Sequence, residues 1–165
     1  MEHPNYKTAV RLVIQNAQNG NVHHEHVLEI GPTPETFLRL GFPPLPLAIK
    51  AKTIDKVYFD HGITRGILER LYNLVASPRA IYRSAPPHQT GHVAVTAVFK
   101  GNEPIIIALH PNKAVGRGRF VNEVASVYAK HPDIEAKWAA AGLKLWSANT
   151  VDEEKPRQGS TTFPL

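Results

Sequence analysis

Cysteine is absent from this 165-residue chain, and there is one methionine. Without cysteine there is no disulfide and no thiolate metal site, and such a composition suits a reducing compartment. The cytoplasm fits, whether of the producing cell or of a cell into which the protein is delivered. Long apolar runs are missing too. PIIIAL and AVTAVF fall far short of the ~20 residues of a membrane span, so no membrane partner is expected. The opening MEHPNYKTAV carries charge and proline and lacks the apolar centre of a signal peptide. CxxC, HExxH, GxGxxG, a Walker loop and a nucleophile elbow with a Ser-His-Asp order are all absent. Those absences weigh against zinc-protease, ordinary serine-hydrolase and nucleotide-dependent classes, and no cofactor is expected.

The composition shows an ordinary globular balance, with 42% hydrophobic and 20% charged residues. A chain of this length makes one domain with a real core. Residues 1–146 read as that domain. The polar stretch from Ser147, with DEEKPRQGS and no periodicity, reads as a flexible tail over residues 147–165. The net charge is +5, with nine histidines. The balance leans towards an anionic partner, nucleic acid above all.

Residues 6–18 fit either a helix, through Val10, Val13, Ile14 and Ala17, or a strand in RLVI. HVLEIG reads as a strand. PTPETFLRLG predicts a helix with Thr33 as cap and Pro34 in its first turn. LAIKA is a short strand. Thr53 is placed to cap TIDKVYFDH, and Gly62 stands where a left-handed helix end belongs. Thr64 then caps a longer helix, RGILERLYNLVA. RAIYRS, HVAVTAVF and PIIIALH predict strands, the last two joined by a hairpin at KGNE. HPNKAVGRGR reads as a basic loop. VNEVASVYAK predicts a helix with Val121, Val124, Ala125 and Tyr128 on one stripe. IEAKWAAAG is another helix, and LKLW a last strand. The expected class is α+β, helices covering a mainly antiparallel sheet.

Four clusters can carry chemistry. In KVYFDHGI, His61 sits at a helix end, where the dipole favours imidazolium, and Lys56 lies one and a half turns earlier. In GRGRF, Arg117 and Arg119 precede the predicted helix, and its first N–H groups would complete a phosphate site. SVYAK places Ser126, Tyr128 and Lys130 together. RAIYRS sets Tyr82 between Arg79 and Arg83, a basic strand suited to stacking on a base. The NVHHEH cluster, with His23, His24 and His26, has poor spacing for a helical metal site. A solvated loop describes it better, and no metal site is assigned.

In order and spacing, LPLAIKAKTIDKVYFDHGI, ILERLYNLVASPRAIYRSA, HVAVTAVF, PIIIALH, VNEVASVYAK and GLKLW resemble the C-terminal domain of phage MuF-like proteins and related polymorphic toxins. Within that resemblance lies the barnase, EndoU, colicin and RelE group of nuclease folds. It implies helices packed on a roughly four-stranded antiparallel sheet and a metal-independent ribonuclease activity, often toxic and paired with an immunity or antitoxin protein. Lys56, His61, Ser126 and Tyr128 match its motifs and would be catalytic. Arg83, Arg117, Arg119 and Tyr82 would hold RNA. The alternative is a non-catalytic inhibitor or accessory protein of a phage or mobile element that binds nucleic acid or protein.

Overall fold

The computed structural model describes residues 1–21, 25–87 and 91–148. Among them run α1 (Tyr6–Gln18), β1 (Val27–Pro32), α2 (Glu35–Arg39), β2 (Pro46–Lys50), α3 (Ala51–Phe59), α4 (Arg65–Glu69) and α5 (Leu71–Ala76). Then come β3 (Ala80–Arg83), β4 (His92–Lys100), β5 (Glu103–Gly116), β6 (Arg119–Ala129), α6 (Ile134–Ala140) and β7 (Lys144–Ser147). The strands form one seven-stranded sheet in the order β1-β2-β6-β5-β4-β3-β7. Every pairing among the described residues is antiparallel except β2 with β6. No helix among the described residues is long and apolar enough to cross a membrane.

The sheet has one well-covered face. Ile81, Ala94, Ile105, Ile107, Leu109, Val124 and Val127 join the buried residues of α1, α3, α4 and α5 in the main core. Burying each isoleucine contributes about 2 kcal/mol. Residues 6–18 resolve as a helix because Tyr6, Val10 and Ile14 make one buried stripe four residues apart. The Tyr6 hydroxyl donates to Leu68 O at 2.7 Å, tying α1 to α4. On the other face a smaller cluster, with Ala80, Tyr82, Val93, Val95 and Ile106, packs against Trp138 and Leu143. The part of this second face around Ala108, Ser126 and Tyr128 is only half-buried.

Several expectations are corrected. The sheet has seven strands rather than roughly four, because β1, β2 and a long β6 extend it. Residues 119–129 form β6, not a helix. Ala108 faces Ser126 while Leu109 faces Val124, so Ala125 is an extra residue in the strand. Such a bulge turns the two-residue period into an apparent three. Val124 and Val127 therefore share the core face, which mimics helical spacing. The basic stretch 110–116 is likewise the end of β5, bent by register shifts around Pro111 and Asn112. Its Asn112 has φ 55°.

Thr64 does cap α4, accepting from Ile67 N at 3.2 Å. The expected longer helix divides at Arg70, whose N–H bonds to Ile67 O three residues back. Thr53 is no cap, since α3 starts directly from β2 at Ala51. Thr33 does not cap α2 either. Its hydroxyl donates to Leu45 O and accepts from Asn122 Nδ2 at 2.7 Å. Ser147, placed in the tail by its sequence, is the last residue of β7. The rest of that tail, from residue 149, lies outside the described residues.

His92 packs edge-on to Phe42, ring centres 4.8 Å apart. Burial, with Arg83 and His110 nearby, pushes its pKa below the ordinary histidine value of 6.5. The folded state therefore binds fewer protons here than the unfolded state, and stability rises with pH. Stability is expected to fall as the pH drops below 6.5 towards the folded value. Urea unfolding of His92→Phe should show a flatter profile across that window. An unchanged slope assigns the acid loss to other groups.

Candidate active site

The α3 helix ends on the backbone of Lys56, whose carbonyl accepts from Asp60 N at 2.8 Å and His61 N at 3.3 Å. Gly62 then turns the chain with φ 65°, a conformation that glycine adopts without penalty. Buried Ile63 anchors the chain on the far side of that turn. The result holds His61 against the edge of β6. That edge is open because β2 pairs with β6 only at Asn122 and Glu123 before the chain turns into α3. His61 Nδ1 lies 2.8 Å from Val127 O. A carbonyl only accepts, so Nδ1 carries the hydrogen and Nε2 of the neutral ring keeps its lone pair. The histidine is thus fixed in the tautomer whose outer nitrogen can take a proton.

Beyond the bulge, Ser126 and Tyr128 point to the open face of the sheet. They line a groove of about 360 Å³ together with Ser84, His110, Lys130 and Trp138. Tyr128 links His61 to this groove: the two rings meet at 87°, centres 6.5 Å apart. Lys130 Nζ lies 5.5 Å from the centre of the same tyrosine ring. Burial raises the Tyr128 pKa, so its hydroxyl stays a protonated donor at neutral pH. Lys100 Nζ donates to His61 O at 3.2 Å, placing a second cation behind the histidine.

The other site residues expected from the sequence separate. Lys56 is exposed on α3, and at ~100° per residue its side chain stands about 140° around the helix from position 61. Tyr82 is 3% exposed and packs on Trp138 at 5.4 Å, with its hydroxyl towards Glu135. It has no open face for a base. Arg83, next along β3, alternates to the helix face beside His92. Arg117 and Arg119 sit at the β5–β6 turn with no helix after them. The expected phosphate site at a helix start is therefore not formed by these residues. They lie seven or more residues along β6 from Ser126, about 20 Å. Of the histidine cluster, His23 and His24 lie outside the described residues.

Ser84, His110 and Trp138 were not singled out by sequence reasoning. The signal that was available is the spacing of Ser126, Tyr128 and Lys130. Three polar side chains two residues apart mark one face of a strand, not a helix. His110 then comes in through register, since it pairs opposite Glu123.

Gly91 packs where these strands converge. A Cβ there would lie 2.7 Å from Ser84 Oγ and 2.9 Å from His110 Cε1. Gly91→Ala is expected to push both side chains into the groove at a stability cost of about 1 kcal/mol. The chemical shifts of His110 in NMR spectra should move while those of His61 stay. An unmoved His110 would mean that Ser84 alone gives way.

The model of the phage MuF C-terminal domain matches residues 52–157, a span holding His61, Ser126 and Tyr128 and most of the sheet. No curated protein and no solved structure matches the chain. With well over half its length matched, the chain belongs to the phage MuF C-terminal domain family.

Proposed function

We propose that this domain cleaves RNA by 2′-hydroxyl transesterification without a metal ion. The observation that carries the reading is His61, whose Nδ1–H is committed to Val127 O and whose Nε2 lone pair is left for proton transfer. In the step, the 2′-oxygen gives its proton to His61 Nε2 and forms a bond to phosphorus. The bond from phosphorus to the 5′-oxygen breaks, and that oxygen takes a proton from an acid or from water. The products are a 2′,3′-cyclic phosphate and a 5′-hydroxyl.

Around His61 stand groups suited to the charge that develops. Lys130 and Lys100 neutralise phosphate oxygens, and the Tyr128 and Ser126 hydroxyls donate to them. This chemistry is that of the barnase, EndoU, colicin and RelE nucleases, and use as a toxin with an immunity partner belongs to the same reading.

The test is incubation of purified protein with total RNA and with tRNA in EDTA. Cleavage leaving cyclic phosphate ends is expected. DNA, which has no 2′-hydroxyl, should stay intact. Intact RNA in the presence of folded protein would favour the binding-only alternative, which one further observation supports: a basic hairpin away from His61.

A further inference from the structure

Past Leu109 the strand β5 no longer pairs with β4, and before Asn122 the strand β6 no longer pairs with β2. Residues 110–121 therefore leave the sheet as a two-stranded ribbon, held by pairs such as Lys113 with Val121 and Ala114 with Phe120. Residues 112–114 and 116–120 are all exposed. Residues 112–120, NKAVGRGRF, carry three cations, Lys113, Arg117 and Arg119, and no acid. Among the described residues no carboxylate pairs with any of the three. Arg11, Arg65 and Arg79, by contrast, are each paired with a glutamate. The ribbon also flanks a cleft of about 450 Å³ with Lys50, Lys52, Ala114 and Val115 on its walls. Lys50 is held by Glu123 at 3.7 Å, and Glu25 is the other acid there.

We infer that this ribbon is an arm that grips the phosphate backbone of a nucleic acid, well away from His61. The inference rests on the RNA reading above for its substrate and deepens it. Register supports the grip. Lys113 lies opposite Val121, and Arg119 is two residues from Val121, so the two cations share a ribbon face. Same-face side chains of a strand recur about every 6.8 Å, and phosphates of one stacked strand advance about 3.4 Å each. Cations on one ribbon face are thus spaced to meet separate phosphates of one strand. Arginine's planar fork matches phosphate oxygens. At Gly116 and Gly118 an added Cβ would meet nothing within 4 Å, so a backbone can approach closely. The exposed Phe120 beside them offers a surface for a base.

The separation defines the substrate class. From Ser126 to Arg119 the strand runs about 20 Å, which a stacked strand covers in about six nucleotides. Efficient substrates are therefore RNAs of at least that length, and a dinucleotide reaches the groove without touching the arm.

The experiment compares the parent chain with the triple variant Lys113→Ala, Arg117→Ala, Arg119→Ala. All three side chains are exposed, and melting curves check the fold. Fluorescence anisotropy with a labelled 12-nucleotide RNA is read from 50 to 200 mM KCl. The variant should bind at least tenfold more weakly at low salt. Its slope of log affinity against log salt should be shallower by about 2, three contacts at ~0.7 each. Cleavage of the 12-mer should fall with binding while cleavage of a dinucleotide stays the same. Equal affinity and slope for the two proteins overturns the arm. Tighter binding of the parent to poly-glutamate than to the 12-mer also overturns it, in favour of an acidic protein partner. If the parent binds the 12-mer through the arm but cuts nothing, the arm stands and the ribonuclease reading falls.

Discussion

His61→Ala should lower RNA cleavage by about 100-fold or more, the usual contribution of a positioned acid or base. The fold should survive. The substitution removes one hydrogen bond to Val127 O, worth about 1 kcal/mol, which lowers the melting temperature of a chain this size by about 2–4 °C. His61→Asn refines the test. Its Nδ2 amide stands where the ring Nδ1 stood and can still donate to the Val127 carbonyl, but it cannot carry a proton between oxygens. Stability should return towards the parent and activity should not. A loss below tenfold with the fold intact would remove His61 from the chemistry and leave His110 as the group to examine. A return of activity in His61→Asn would show that position 61 only braces the edge of β6.

The largest stability effect should come from Asn122. Its amide is fully buried, and three partners use it. Nδ2 donates to Thr33 Oγ1 at 2.7 Å and to Pro43 O at 2.9 Å, while Oδ1 accepts from Asn112 N at 3.1 Å. The residue therefore fastens the base of the β5–β6 ribbon to the segment around α2. Asn122→Ala breaks all three bonds and strands buried polar atoms, at a cost of about 2–3 kcal/mol. That corresponds to a drop of about 4–12 °C in melting temperature. Hydrogen exchange should also show the Asn112 amide opening faster. A drop under about 2 °C would mean that water replaces the amide at no loss.

Parts of this architecture were legible in the chain because they depend on neighbours in sequence. The hairpin at KGNE forms as expected, with Gly101 at φ 64° and Lys100 opposite Glu103. Gly62 ends α3, and Thr64 caps α4 by a bond three residues long. RAIYRS, HVAVTAVF and PIIIALH are strands, as their β-branched content predicts. The α+β class comes from the same local signals.

Other parts depend on partners far along the chain. The valine spacing of β6 satisfies a helix and a bulged strand equally. Only pairing with β5 on one side and β2 on the other selects the strand, because it supplies the backbone partners that a helix finds within itself. That choice alone relocates the site. It puts Ser126, Tyr128 and Lys130 on one face and sends Arg117 and Arg119 about 20 Å away. Tyr82 similarly looked like a stacking platform until Trp138, 56 positions later, covered its ring.

The order of residues alone supplied the side chains that can move protons and hold phosphate, and the local turns that set His61 at a helix end. Which of those side chains meet is a matter of tertiary structure. The tautomer of His61 hangs on Val127 O, 66 residues away, and the groove on strands joined by long-range register. Local signals fix conformation within a few residues, whereas a site is a set of distances between segments that only the closed sheet defines.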